Sequence, residues 1–74
     1  ANLQVTQNPA AVLTGPIARG DVSTVAKHLA ALPAAVIPAY CSLGLATTSL
    51  ALANGTIDEN AADELRNLLG GYYG

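Results

Sequence analysis

The 74-residue chain lacks Met, Phe and Trp, and it contains a single Cys, Cys41. One Cys cannot form a disulfide within the chain, and one Cys with one His is too few for the usual four-ligand structural zinc site. A lone Cys is typical of a reducing compartment, and no cationic segment precedes a short apolar stretch at the N-terminus. We therefore expect a cytoplasmic location. The missing Met predicts a processed product or a piece of a longer protein.

Charged residues are scarce as well, at 11% of the chain, against about 25% in typical soluble domains. Three basic residues against five acidic ones give a net charge of −2, which excludes a strong electrostatic nucleic-acid binder. A chain this short buries only about 60% of the surface that it exposes when unfolded, so its stability is marginal without help. With hydrophobic residues at 51%, the composition predicts one small helical domain that binds a partner.

Ala, Leu, Val and Ile supply the apolar residues, and their spacing of three or four positions predicts helices. Asp21 and Asp58 precede such patterns and are suitable N-caps. Thr56 with Glu59 offers a capping box as the alternative start of the last helix. No segment alternates apolar and polar residues with the period of two that is typical of a strand. The predicted fold class is therefore all-α, a bundle of three or more helices. The predicted helices cover about residues 21–32, 35–53 and 58–69.

Gly and Pro residues mark the predicted breaks between these helices. We expect a loop at Thr14-Gly15-Pro16 and a C-terminal stop at Asn54-Gly55. The last helix is predicted to end at Gly70-Gly71 and to be followed by a short tail over residues 72–74. Residues 1–7 are predicted to be the end of a helix that begins further upstream.

The second predicted helix lies in a stretch without charge over residues 29–57. Its length approaches that of a membrane span, but Pro38 and hydroxyl residues interrupt it, and no Lys, Arg or aromatic belt flanks it. We therefore expect a buried or interfacial helix. One stripe holds Leu43, Leu50 and Ile37, and the helix around Leu43 and Leu50 is predicted to form a homodimer. Small residues that allow close helix approach form another surface, namely Gly44, Thr47, Thr48 and Ala51.

Isolated reactive side chains are few, and each has an ordinary structural interpretation. Cys41 lies in an apolar helix without a nearby base, which predicts an inert core residue. His28, the only imidazole, borders the apolar face of the first helix, which is typical of packing or surface residues. No Gly-rich phosphate loop is present, and no metal site is predicted. Acidic residues in the first turns of the last helix complement its dipole, namely Asp58, Glu59, Asp63 and Glu64.

The segment from Thr14 to Asp21 is the main candidate for a binding site, because it gathers turn, hydroxyl and charged residues directly before a helix. In one interpretation Asp21 caps the helix, Arg19 is solvated and the glycines make turns. In the other, Arg19 and Thr14 flank the free N–H groups of a helix N-terminus and bind an anionic ligand. Asp21 argues partly against an anion, because its carboxylate competes for the same N–H groups.

The string LTGPIARGDVSTVAKHLAAL, over residues 13–32, resembles the helical C-terminal domain that follows a Rossmann-type NADP-binding domain in a family of oxidoreductases. Those proteins are similar to deazaflavin-dependent NADP reductases and pyrroline-5-carboxylate reductases, and their helical half is a domain of unknown function. The stretch PAYCSLGLATTSLALANG and the later LRNLL fit the same family, so the resemblance covers nearly the whole chain.

This resemblance implies the later part of a dimerisation and substrate domain of the 6-phosphogluconate dehydrogenase C-terminal type, with NADP as the cofactor of the parent protein. The Rossmann domain with its GxGxxG motif is absent from this sequence, so no residue here is assigned to the cofactor and the chain alone is expected to be inactive. Substrate contact is implied for Thr14 and Arg19. The positions that match the family motif are Thr14, Gly15, Pro16, Arg19, Gly20 and Asp21.

Two other classes of protein are consistent with the residues. A small non-enzymatic helical interaction module, complete as it stands, would work by dimerisation through the uncharged helix. A membrane-active peptide is the third class, since the uncharged stretch is close to spanning length. The coding sequence upstream of Ala1 distinguishes the first two, because only the oxidoreductase requires a nucleotide-binding unit there.

Overall fold

A computed structural model of the protein describes the backbone of residues 9–73 and the side chains of residues 13–71. Within these residues it contains helices and no strand, so the all-α prediction is confirmed. The helix end expected over residues 1–7 lies outside the described residues. The helices are α1 (Pro9–Ala18), α2 (Val22–Ala31), α3 (Ile37–Asn54) and α4 (Glu59–Tyr73).

The three predicted helices correspond to α2, α3 and α4, and side-chain caps explain where two of them begin. The Asp21 carboxylate accepts hydrogen bonds from the backbone N–H of Thr24 (N···O 3.3 Å) and from its hydroxyl (2.8 Å). Asp58 accepts from the backbone N–H of Ala61 at 2.9 Å. Both predicted N-caps are confirmed. The helix thus begins with the Asp58 cap rather than with the alternative capping box, and the Thr56 hydroxyl donates to the Ala18 carbonyl, the last of α1.

The predicted loop at Thr14-Gly15-Pro16 is wrong, because these residues belong to α1. Pro9 is the first residue of this helix, where a missing N–H and a fixed φ are favourable. Pro16 lies inside the helix, and its ring normally clashes with the Cβ of the preceding residue. Gly15 has no Cβ, so part of that clash is absent. Pro16 and Ile17 are both buried, and this packing outweighs the local tendency of Gly-Pro to break a helix.

α4 continues through Gly70-Gly71 to Tyr73, so the helix end predicted at these glycines is wrong, and residues 72 and 73 of the expected tail are helical. A Gly ends a helix most readily when it adopts a positive φ. Among the described glycines this occurs at Gly20 and Gly55. Leu69, directly before the two glycines, is fully buried, so the packing of α4 extends to that turn.

The predicted stop at Asn54-Gly55 is confirmed. Gly55 has a φ of 78°, and its N–H donates to the Leu52 carbonyl at 3.1 Å, while the Thr56 N–H donates to the Ala51 carbonyl at 3.0 Å. This pair of bonds is a Schellman motif, whose left-handed residue is usually Gly because it has no Cβ. The motif satisfies two carbonyls that the end of α3 would otherwise leave without partners.

The core lies where α1 and α4 pack against α3, and the interface of α3 with α4 is the larger of the two. Gly44 sits at the closest approach, because a Cβ there would lie 2.9 Å from Leu69 Cδ1 and 3.0 Å from Ile17 Cδ1. The buried hydroxyl of Thr48 donates to the Gly44 carbonyl at 2.8 Å, which satisfies it inside the helix. The buried apolar residues are Ile17, Val25, Leu29, Tyr40, Cys41, Ala51, Ile57, Ala62, Leu65 and Leu69.

Candidate functional site

The segment from Thr14 to Asp21 forms the last turns of α1 and the connection to α2. Gly20 adopts a φ of 71°. Its N–H donates to the Ile17 carbonyl at 3.0 Å, and the Asp21 N–H donates to the Pro16 carbonyl at 2.8 Å. This is a second Schellman motif. Gly20 therefore ends α1 and turns the chain so that the next residue caps α2.

This turn is held against the connection between α3 and α4. A Cβ at Gly20 would lie 3.3 Å from both Ala61 Cβ and Ile57 Cγ2. The Thr56 hydroxyl donates to the Ala18 carbonyl at 3.0 Å, which satisfies one of the carbonyls at the end of α1. The position of the segment is therefore fixed by contacts with a distant part of the chain as well as by its own backbone.

The Asp21 carboxylate is hydrogen-bonded to residues at the start of α2. Besides its bonds to Thr24 it accepts a hydrogen bond from the Ser23 hydroxyl at 3.2 Å. The hydrogen bond from the Thr24 hydroxyl, followed by that from the Thr24 N–H, lowers the pKa of Asp21 below its ordinary value, and the nearby charge of Arg19 adds to the shift. The side chain is thus ionised at neutral pH, as the capping interpretation requires, and its negative charge opposes an anion at the N-terminus of α2.

Thr14 and Arg19 lie on different sides of α1. Five residues of helix place them about 140° apart around the axis and about 7.5 Å apart along it. Arg19 shares a side with Gly15, since its Nη1 lies 3.2 Å from where a Cβ of Gly15 would be. Arg19 is exposed, whereas Thr14 is half-buried. The segment therefore exposes the Arg19 guanidinium to solvent. The side chains of Thr14 and Arg19 are not placed to bind one small anion together.

The described residues do not fit a nucleotide cofactor. The phosphates of a dinucleotide are bound at a turn between a strand and a helix N-terminus, and the described range contains no strand. At the N-terminus of α2, the Asp21 carboxylate takes the N–H group of Thr24 that a phosphate would need. The described part of the chain also encloses no pocket.

His28 and Cys41 both take part in packing, as predicted. His28 Nδ1 lies 3.3 Å from the Tyr40 hydroxyl, and the two rings meet edge to face with their centroids 6.1 Å apart. This contact joins α2 to α3. Cys41 is fully buried, and burial raises the pKa of its thiol. A protonated thiol inside an apolar core is a poor nucleophile.

The acidic residues at the start of α4 include an N-cap and one member of an ion pair within the helix. Asp58 caps it, and Asp63 lies 3.4 Å from Arg66 (Oδ1···Nη1) in an exposed pair one turn apart. Across residues 9–73, no three His, Cys, Asp or Glu side chains are grouped as metal ligands. The structural interpretation of these carboxylates therefore agrees with their positions.

The outer face of α3 is the second candidate site, and periodicity alone did not show which side of the helix would form it. Gly44 and Thr48, from the small-residue surface, are buried. Leu43 and Leu50 are 44% and 64% exposed. Neither side carries a charge, so the sequence had no signal to separate them. In the part of the chain that the structure describes, no helix has the length and hydropathy needed to cross a membrane.

The fold and these two surfaces define a small all-α domain with an exposed apolar helix face. Residues 1–47 match the family described as a domain of unknown function (DUF2520), and the chain belongs to this family. The matched range includes all of α1 and α2, the first part of α3 and the whole segment from Thr14 to Asp21. No curated protein and no solved structure matches the chain.

Proposed function

We propose that this chain is the dimerisation and substrate-cleft domain of an NADP-dependent oxidoreductase of the 6-phosphogluconate dehydrogenase C-terminal type, located in the cytoplasm. A Rossmann-type domain elsewhere in a longer parent protein binds the cofactor, so the 74-residue chain is inactive alone. Support comes from the resemblance of residues 13–32, from membership of the DUF2520 family and from the all-α fold. The dimerisation part is carried by one observation, the exposure of Leu43 and Leu50.

Dimerisation is favoured by the apolar area that α3 leaves in water. Fully burying a Leu contributes about 1.5–3 kcal/mol. Leu43 is 44% exposed and Leu50 is 64% exposed. If a partner covered both side chains, the association would gain roughly 2 kcal/mol of hydrophobic free energy per copy. The stretch over residues 29–57 contains no charge, so a partner covers this face without removing an ion from water.

In the proposed cleft, the Arg19 guanidinium binds the anionic group of the substrate, and Gly15, Pro16 and Asp21 shape the segment that carries it. Thr14 lies on another side of α1 and is proposed to contact a different part of the substrate from the group that Arg19 binds. Arg19 is the stronger candidate, because its exposed guanidinium can bind a carboxylate or phosphate group with two parallel hydrogen bonds. Asp21 is already engaged by Thr24, and Pro16 is buried. The substrate expected for this cleft is therefore a small anionic molecule.

The parent protein tests the oxidoreductase part of this proposal. We expect its coding sequence to contain a βαβ unit with a GxGxxG motif upstream of Ala1. In a fluorescence titration, the full-length protein should bind NADPH and the 74-residue chain should not. A coding sequence that starts just before Ala1 would contradict the proposal and favour the non-enzymatic interaction module.

Substitution of Arg19 tests the cleft. In the full-length protein, NADPH oxidation is measured with a panel of small carboxylated and phosphorylated carbonyl compounds. Arg19→Ala is expected to lower kcat/KM at least tenfold for the compound that is turned over, or about 1.4 kcal/mol. The control is Arg66→Ala, which removes another exposed guanidinium, on α4. If both variants keep full turnover and unfold like the wild type, Arg19 is only a solvated residue.

A further inference from the structure

The exposed residues of α3 and its N-cap follow a coiled-coil pattern. Their spacing alternates between three and four residues, which is the 3.5-residue period of a helix pair. Large residues and alanines each recur every seven positions. We call these positions the outer seam of α3. They are Val36, Ala39, Leu43, Ala46, Leu50 and Ala53.

Among the described residues, the core contains no residue of the outer seam. All of its residues are exposed, including Val36 at 41%, Leu43 at 44% and Leu50 at 64%. The opposite side of α3 meets α1 and α4 around Gly44. A single exposed Leu is ordinary on a soluble protein, but an exposed series with a regular coiled-coil period matches the surface of a second helix.

We propose that a second copy of this chain packs antiparallel along the outer seam, with a two-fold axis between residues 44 and 45. The axis pairs positions whose numbers add to 89. Leu43 then faces the partner's Ala46, Leu50 faces the partner's Ala39, and Val36 faces the partner's Ala53. The pairing is reciprocal, as a two-fold interface requires.

Side-chain size supports the antiparallel direction. Each layer of this pair contains one large residue and one Ala, so the helices can approach evenly along the seam, at the lower end of the usual 8–10 Å between helix axes. A parallel pair would place Leu43 on the partner's Leu43 and Ala46 on the partner's Ala46. Layers of two large residues would then alternate with layers of two alanines, and the alanine layers would lose packing contacts.

Charge supports the same direction. Asp58 and Glu59 follow the C-terminal end of α3, and no charge precedes α3 back to Leu29. A parallel pair would bring the acidic residues of both copies to one end, where they repel each other. In the antiparallel pair they lie at opposite ends, next to the uncharged residues 33–36 of the other copy. The dipoles of the two α3 helices are then also antiparallel, which is the favourable arrangement.

The size of the seam predicts a reversible dimer. Residues 36–53 extend about 25 Å along the helix, in a strip about 10 Å wide. Stable interfaces bury about 800 Å² on each partner, which is more than such a strip supplies. The exposed, uncharged residues 30, 31 and 33–35 adjoin its N-terminal end and enlarge it. The dimer should therefore depend on protein concentration.

Disulfide trapping tests the register, which rests on the dimerisation proposed above. An Ala39→Cys chain is mixed with a Leu50→Cys chain, oxidised, and analysed by mass spectrometry. We expect the mixed disulfide to exceed either homodisulfide at least tenfold. In the antiparallel pair, identical positions at 39 or at 50 are separated by eleven residues, or about 16 Å along the seam, which is too far for a disulfide.

Two controls accompany the mixture. In the first, the Ala39→Cys chain is mixed with a Leu43→Cys chain. Position 43 is seven residues away from position 50, which faces position 39, so this mixture should give at least tenfold less mixed disulfide than Ala39→Cys with Leu50→Cys. The wild-type chain should form none, because Cys41 is fully buried.

Homodisulfides at positions 39 and 50 in a sedimenting dimer would overturn the antiparallel register and leave dimerisation standing. A dimer without any seam disulfide would overturn the seam itself. A monomer at all concentrations would overturn this inference together with the proposed dimerisation.

Discussion

On the inner side of α3, Gly44 lies against Leu69 and Ile17 at distances that leave no room for a Cβ. On the outer side of the same helix, Leu43 and Leu50 are 44% and 64% exposed. Neither side carries a charge. Helices that pack inside a domain usually turn their large apolar residues inward. α3 does so with Tyr40, but it leaves Leu43 and Leu50 exposed. Gly44 lets α1 and α4 come close to α3, and the two exposed leucines are left for a partner.

Absence of charge therefore does not identify the buried side of a helix. Around the middle of α3 the two sides differ in side-chain size, because Gly44 and Thr48 are inside whereas Leu43 and Leu50 are outside.

The largest expected effect comes from the residue that covers Gly44. Leu69→Ala should destabilise the chain by about 2–5 kcal/mol, because Leu69 is fully buried and truncation leaves a cavity. For a domain this small, that is a large part of the total free energy of unfolding. Leu50→Ala removes the same atoms from the outer side and should change it by less than about 0.5 kcal/mol. Urea unfolding at low protein concentration measures both, and equal losses would contradict the two-sided description of α3.

An intermediate effect is expected from adding a methyl group at Gly44. Gly44→Ala should destabilise the chain by about 1–3 kcal/mol, because Leu69 Cδ1 and Ile17 Cδ1 are in the way and both side chains are fully buried. Gly70→Ala is the matched control in α4, where no atom lies within 4 Å of the new Cβ. It should stabilise by about 0.5–1 kcal/mol through helix propensity. The midpoint temperature of thermal unfolding should therefore fall for Gly44→Ala and rise for Gly70→Ala. A shift of the same sign in both variants would show that the inner side is not tightly packed.

The smallest effect should come from Asp21, which caps α2. Its folded-state pKa is lowered from 3.8, chiefly by the Thr24 hydroxyl. A lowered pKa adds stability above the unfolded-state value, and that stability is lost as the pH falls through the folded-state value. Asp21→Asn keeps a capping oxygen but removes the charge. The wild type should be slightly more stable than this variant at pH 7, and the difference should shrink as the pH falls below 3.8. A difference that is constant with pH would mean that the charge plays no part.

The sequence predicted the helices with strong local signals. α2 was expected over residues 21–32 and runs over Val22–Ala31, because an N-cap at Asp21 and a Pro after the helix act on neighbouring residues. α1 was missed, because Gly15-Pro16 is a local signal for a loop and only the burial of Ile17, a tertiary contact, keeps the chain helical there. The same limit applies to Gly70-Gly71. Two glycines are a local signal for a helix end, but the burial of Leu69 extends α4 through them.

The candidate sites were predictable in part. The cap at Asp21 could be identified from its residue type and position. The packing of the Gly20 turn against Ile57 and Ala61 could not, because those residues lie far along the chain. That Thr14 and Arg19 lie on different sides of α1 follows from a helix that the sequence did not predict. For α3, the exposed seam was present in the spacing, but only the positions of α1 and α4 reveal that it faces outward.

Sedimentation equilibrium of the chain, measured over a range of concentrations, tests the role of the outer face of α3 most directly. The wild type should form a reversible dimer. Leu50→Asp should remain monomeric with unchanged helical content, because Leu50 is 64% exposed and its replacement does not disturb the core. Asn60→Asp adds the same charge at an exposed position on α4 and should dimerise like the wild type. A wild type that stays monomeric, or a Leu50→Asp variant that still dimerises, would contradict the proposed role of this face.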